Sequence, residues 1–458
     1  MRALRAHMIS ASTAALGIVL VLGLSGCASY SDFFAVIESD MAAQRFDAAL
    51  RTLEQQHQPG RNQVVHLLNK AMLERMKGDY AASNTSFEAA KTRMAELYGT
   101  SIREQALSFV VNDATRSYSG VMYEQVLLHL YMALNYLQLG DLINARVEAL
   151  QVDEQLREIT QKTPENRYTE DALARYLTGM IYEERGEYSD AMISYRQAYE
   201  AYGHYQKNYG MSVPDYLKRD LLRLSEKMGL KPELRQYKKE FGIDKWMSTA
   251  ELAEQGELVF ILHNGLAPVK QEHATTVPDP STGHIVRIAV PYYQTRETPV
   301  TGMRVTAGDA HAMGEVVENI DAIAIQNLEA EMPAITARAI ARAVVKAQIA
   351  RAARENARQQ NQNGGALASA LAGLAVEVVG VVTERADTRS WLTLPARIHL
   401  ARLPLPPGSY TIKVDLLGNL GQIVTTQEYP NVVLHQGAKT YLSPHWIPPN
   451  DFSTRRAP

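Results

Sequence analysis

Two spacings of apolar residues divide the 458-residue chain. Over about residues 30–242, apolar and small residues recur at helical intervals in paired segments, each pair broken at a glycine. The clearest pair holds Gly179, Tyr182, Gly186, Tyr188, Ala191, Tyr195 and Ala198. Earlier in the chain Ala133, Tyr136, Gly140 and Ala145 occupy the same slots, as do Ala71, Gly78, Tyr80, Phe87 and Ala90, and more weakly Phe46, Ala49 and Leu53. Small residues let the first helix of a pair approach the second, and the glycine ends the first helix in a left-handed turn. The interval between copies widens from 34 to 62 and then 46 residues, so extra chain is expected at about 99–125 and 158–169. A charged final pair at 215–241 reads as a capping hairpin.

The pattern changes after Trp246. Short apolar runs at 257–263, 285–293, 396–400, 409–416, 422–428 and 431–434, bounded by glycine and proline, read as strands. Between them, 313–357 is helical in pattern, 361–365 is a turn, and 366–382 is a second, nearly uncharged helix. The paired helices resemble tetratricopeptide repeats. The expectation is an α+β chain: a tetratricopeptide-like helical solenoid over 27–242, then a β-rich domain over 251–458 with a helical hairpin inserted at about 313–382.

Charge narrows the function. Lys and Arg total 47 against 50 Asp and Glu, which gives no broad positive field for a nucleic-acid backbone. Cys27 is the single cysteine, so internal disulfides and multi-thiolate metal sites are excluded. Its setting is informative: Arg2 and Arg5 precede an apolar stretch at 14–24, followed by Leu24-Ser25-Gly26-Cys27. As a helix that stretch rises about 16 Å, short of the roughly 30 Å hydrocarbon core. Residues 1–26 therefore read as a secretion signal, and the small residues before the thiol resemble a bacterial lipobox. That resemblance implies an acylated Cys27 as the first mature residue. Ala28 rather than Asp follows it, which by the Gram-negative sorting rule implies the outer membrane, periplasmic face.

No phosphate-binding glycine loop, nucleophile elbow or HExxH pair is present. His263, His273 and His284 are too widely spaced for a compact zinc motif. No catalytic residue, metal ligand or cofactor is assigned. Partner-binding candidates on the repeats are Tyr136, Tyr182, Tyr202, Tyr205 and Tyr209, the last three lying beyond the repeat template and so expected at the surface. Asp387, Arg389 and Trp391 form a clamp or a ligand site, an ion pair beside a large ring. Arg338, Arg342 and Lys346, followed by Arg351, Arg354 and Arg358, give one basic side to the first inserted helix. It reads as a solvated face or as a contact for anionic lipid.

Gly256-Glu257-Leu258-Val259, Gly265 to Lys270, Ala337 to Arg342, and Ala386 to Trp391 make the whole chain resemble a family of uncharacterised proteobacterial lipoproteins with tetratricopeptide-like helices and a C-terminal mixed domain. The resemblance carries no activity over. It implies a genomic association with lipoproteins that activate peptidoglycan synthases. The expected function is a non-enzymatic, outer-membrane-tethered scaffold for an envelope protein, linked to cell-wall synthesis. The alternative is a C-terminal domain that binds or hydrolyses wall or polysaccharide fragments.

Overall fold

The computed structural model describes residues 30–56, 60–110, 113–162, 168, 170–278, 285–360 and 384–449. Cys27, His284 and the helix expected at 366–382 lie outside them. Helices α1 (Tyr30–Ala42) and α2 (Phe46–Gln55) open the chain. Three antiparallel repeat pairs follow: α3 (Gln63–Lys77) with α4 (Tyr80–Val110), α5 (Met122–Gln138) with α6 (Leu142–Lys162), and α7 (Ala172–Glu184) with α8 (Tyr188–Tyr209). The hairpin α9 (Asp215–Lys227) and α10 (Lys231–Phe241) closes the stack.

Gly78, Gly140, Gly186 and Gly229 all take positive φ where the first helix of a pair ends. At Gly179 the constraint is space: a Cβ there would meet the Tyr195 ring at 2.4 Å, so the two helices of that pair touch through bare backbone. The long interval between copies is explained by second helices that overrun. α4 continues to Val110, and the loop at 113–121 carries the chain back to α5.

After a short helix α11 (Thr249–Ala253), the strands form three sheets in the described residues. β1 (Gly256–Asn264) pairs antiparallel with β7 (Arg397–Leu405), which pairs with β6 (Glu315–Asn319). On its other edge β1 pairs in parallel with β10 (Lys439–Leu442) and β11 (His445–Trp446). A second sheet has the order β5 (Ala310–Met313), β4 (Gly302–Ala307), β8 (Gly408–Leu417), β9 (Ile423–Leu434), and β2 (Val269–Pro278) makes a hairpin with β3 (Ile285–Gln294). The two strands expected at 422–434 are one, bent where Asn431 takes φ 58.

Parity along β1 builds the sandwich. Leu258, Phe260 and Leu262 point with Ala401 and Leu403 into a core shared with Met303, Val305, Ile412, Val414 and Leu416 of the second sheet. The alternate residues, Val259 and Ile261 with Ile398 and Leu400, join the core of the helical repeats instead. Every residue of β1 is consequently buried, as a strand covered on both faces requires.

The inserted helix starts later than its pattern suggests. Met313 ends β5, β6 follows, and α12 spans Ile320–Gln360, continuous through Pro333. Its basic row is a solvated face only in part: Arg338 and Arg351 are exposed, but the two basic residues between them turn inward. Arg342 is buried, reaching Asp113 at 2.9 Å and Glu384 at 3.0 Å, and Lys346 reaches Glu384 at 2.6 Å. A like-charged row at i, i+4 looks exposed in sequence. Here its middle, Arg342 and Lys346, faces carboxylates supplied by distant segments.

Gly179→Ala is expected to lower stability by about 1–3 kcal/mol, because the buried Tyr195 ring must move. Urea unfolding of the two proteins measures it, and an unchanged midpoint would show that the pair can open without cost.

Candidate functional site

In a helical solenoid the first helices of each pair line the inner, concave side, where a partner peptide would lie. In this chain that side is already filled. Residues of α3, α5, α7 and α9 meet the β1–β7–β10 sheet and the segment leading into β7. Asn69 accepts from the Thr393 amide (3.1 Å) and hydroxyl (3.0 Å), and the Glu124 carboxylate accepts from the Trp391 amide (2.8 Å). Arg75 donates to the Ser443 hydroxyl at 2.5 Å, Gln138 to the Tyr441 carbonyl at 2.9 Å, and the Tyr441 hydroxyl to Glu184 at 2.8 Å.

The strongest part of this contact is a chain of alternating charges. Arg402, on the repeat-facing side of β7, grips Glu257 of β1 with bonds of 2.7 and 2.9 Å and also pairs with Asp220 of α9. Asp220 pairs with Arg223 at 2.6 Å, and Arg223 forks onto Glu183 of α7 at 2.7 Å. All five are buried. Burial alone would raise the Glu183 pKa, but the Arg223 guanidinium overrides it and holds the carboxyl at about 2. Glu257 is likewise kept low by Arg402 against its burial.

The tyrosines divide accordingly. Tyr202 and Tyr205 are interior, which corrects their reading as surface: Tyr202 donates to the Val317 carbonyl at 2.9 Å, and Tyr205 is wedged edge-on between Tyr202 and Tyr209. The β-domain continues the packing beyond the repeat template, so residues past that template remain inside. Tyr209 and Tyr136 are half-buried. Tyr182 lies beneath Arg146 and lines an outer cleft of about 520 Å³ with Asp153, Arg175 and Ile193.

Asp387, Arg389 and Trp391 also part company. Trp391, 1% exposed, stands between Phe87 and Tyr131 at 5.6 and 5.8 Å and donates its indole N–H to Thr393 at 3.0 Å. It clamps the β-domain onto the repeats. Arg389 forks onto Asp387 at 2.8 and 2.6 Å, donates to the Arg61 carbonyl at 3.2 Å, and covers the Tyr118 ring at 5.4 Å. This pair lines a second cleft, of about 500 Å³, with the 113–122 loop, the end of α6, Lys270 and α12. The sequence signal for that cleft was the surplus length at 99–125 and 158–169. Lys270, at the end of the stretch 265–270 that carries the family resemblance, has no sequence feature that marks it as a site residue.

His263 is an interior polar group: its Nε2 meets the Ser443 hydroxyl at 2.8 Å and its Nδ1 meets the Tyr131 hydroxyl at 3.1 Å. Burial holds its pKa well below the ordinary histidine value. Among the described residues no cluster of His, Cys, Asp and Glu could hold a metal ion.

No protein-family model matches the chain, and no curated protein matches it. Among solved structures, a crystal structure of MamA protein is similar over 46% of this chain and 88% of its own, at 14% identity and a TM-score of 0.29. A second MamA structure, AMB-1, is similar over 46% and 88%, at 16% identity and a TM-score of 0.28. The likeness is loose, and the functional reading stands on the geometry.

Two outcomes follow from the charge chain. Arg402→Met, which strands Glu257 as a buried charge and leaves Asp220 with Arg223 as its one cationic partner in the chain, is expected to cost about 3–5 kcal/mol in urea unfolding. The loss caused by Glu183→Gln should depend on pH. The carboxyl is depressed in the folded protein, so its contribution is full above the unfolded value of 4.5 and shrinks as pH falls toward about 2. A difference between the two proteins that is constant from pH 6 to pH 3 would remove Glu183 from the chain.

Proposed function

We propose that this protein is a non-enzymatic interaction scaffold of the cell envelope, anchored on the periplasmic face of the outer membrane through acylated Cys27. It engages a helix of an envelope protein with the outer side of its stack. The observation that carries this reading is an apolar row in the open. Ile143, Val147 and Leu150 on α6, with Leu139 just before it, are 68, 45, 41 and 50% exposed, and Ile193 on α8 is 50% exposed. Spacings of four and three residues put Ile143, Val147 and Leu150 on one face of α6, with Leu139 at the end of the preceding helix, the form that a partner helix laid alongside would cover. The inner side, where a solenoid ordinarily takes its partner, holds the protein's own sheet. Cys27 and its lipobox-like setting support the anchor, and the family resemblance alone supports a link to cell-wall synthesis.

A hydrolytic role for the C-terminal domain finds no footing in Asp387, Arg389 and Trp391. Asp387 is held ionised by Arg389 despite its burial, and Trp391 is enclosed as a clamp. The second helix of a membrane-engaging hairpin, 366–382, lies outside the described residues, and among those no helix is long and apolar enough to cross a membrane.

Photo-crosslinking in cells tests the docking face. Probes at Ile143, Val147 and Ile193 should capture the same envelope protein, lost with a Leu150→Glu background, while a probe at the exposed Tyr292 should not. Identical products at all four positions would contradict the reading. For the anchor, Cys27→Ser should move the protein from the membrane to the soluble fraction, and its retention in the membrane would exclude acyl tethering at that residue.

A further inference from the structure

The second cleft contains a charge that no carboxylate among the described residues neutralises by direct pairing. Lys270 lines it with only 7% of its surface exposed, its ammonium 5.3 Å from the Tyr293 ring centroid. A lysine so deeply buried ordinarily faces a carboxylate. The carboxylates whose fields reach it are Asp387, Glu124 and Glu331, and each has another partner. Asp387 is forked by Arg389, Glu124 accepts from the Tyr118 hydroxyl and the Trp391 amide, and Glu331 accepts from Asn327. Among the described residues no carboxylate lies within 4.0 Å of the Lys270 ammonium. Burial works against its charge, yet the surrounding Tyr293 and carboxylates hold its pKa above the ordinary lysine value, so the ammonium is charged at neutral pH.

The rest of the lining is two-sided. Val121, Ile159, Leu328 and Ile335 supply apolar surface, Arg116 and Arg338 add cations, and Asp113 and Glu158 add carboxylates, Asp113 being forked by Arg342. A volume of about 500 Å³ suits a small organic molecule. One buried ammonium with three donors matches a single negative charge. A phosphate dianion would need a second buried cation, and the buried Arg389 is already bound to Asp387.

We propose that this cleft binds an amphipathic organic carboxylate, its head on Lys270 and its apolar body against Val121, Ile159, Leu328 and Ile335. This site is separate from the docking face on α6, so either can fail without the other.

The test is calorimetric titration of the full chain carrying Cys27→Ser with 4-phenylbutyrate and with decanoate, using 4-phenylbutyramide as the neutral control. At least one carboxylate should bind saturably at one site, and the amide at least tenfold more weakly. Lys270→Met should lose at least tenfold in affinity. Arg116→Glu, on a half-exposed loop where folding is not at stake, should lose about threefold or more. Absence of saturable binding by both carboxylates, equal binding of the amide, or full affinity in Arg116→Glu together with a folded Lys270→Met would overturn the proposal. Should Lys270→Met fail to fold by circular dichroism, the amide control and Arg116→Glu decide it.

Discussion

Five buried charges, Glu257, Arg402, Asp220, Arg223 and Glu183, set the arrangement on which the rest depends. They come from β1, β7, α9 and α7, so no single element can satisfy them. A guanidinium or carboxylate left alone in that interior would cost several kcal/mol, whereas the assembled chain satisfies each member with an oppositely charged neighbour. Such a chain contributes registry more than net stability. It admits one placement of the sheet on the helices, and the apolar contacts of Val259, Ile261, Ile398 and Leu400 with the repeat core are made only in that placement.

This constraint redirects the solenoid. A repeat stack normally keeps its inner side for a partner, and here the β-domain occupies it, with Trp391 and Thr393 seated among Asn69, Phe87, Glu124 and Tyr131. The helices and sandwich therefore form one body with a shared core. What is left for recognition lies outside: the apolar row on α6 and Ile193, and the two clefts at the edges. The end of α6 and the loop at 113–121 supply much of the wall of the Lys270 cleft. An elongated repeat thus builds a feature that the bare repeat lacks.

The repeats were legible because their determinants are local. Gly78, Gly140 and Gly186 mark helix ends through backbone conformation, and Gly179 opposite Tyr195 needs only the neighbouring helix. The strands were legible only where an apolar run marks them, at β1, β3, β7, β8 and β9; β2, β4, β5, β10 and β11 carry too few consecutive apolar residues to stand out, and β6 lies where the pattern reads as helix. What sequence did not disclose was which polar residues are inside. Tyr202, Tyr205 and Arg342 have surface-like neighbours in the chain, and they are buried by partners 115, 35 and 229 residues away. One signal was available. Glu257 and His263 share the parity of Val259 and Ile261 in an otherwise apolar strand, which implies a second buried face with polar groups opposite it. Lys270 gave no such sign, since a lysine near a strand's start is usually solvated.

The central claim, that the sheet is held in the concave side of the repeats by paired charge, is tested most directly by a double-mutant cycle between Asp220 on α9 and Arg402 on β7. Asp220→Asn, Arg402→Met and the double variant are each unfolded in urea at neutral pH. The account predicts a coupling energy of about 1.5–3 kcal/mol, with the double variant more stable than the sum of the single losses. Additivity within about 0.3–0.5 kcal/mol would mean that the two residues do not meet, and that the sheet is not seated on the repeats in this way.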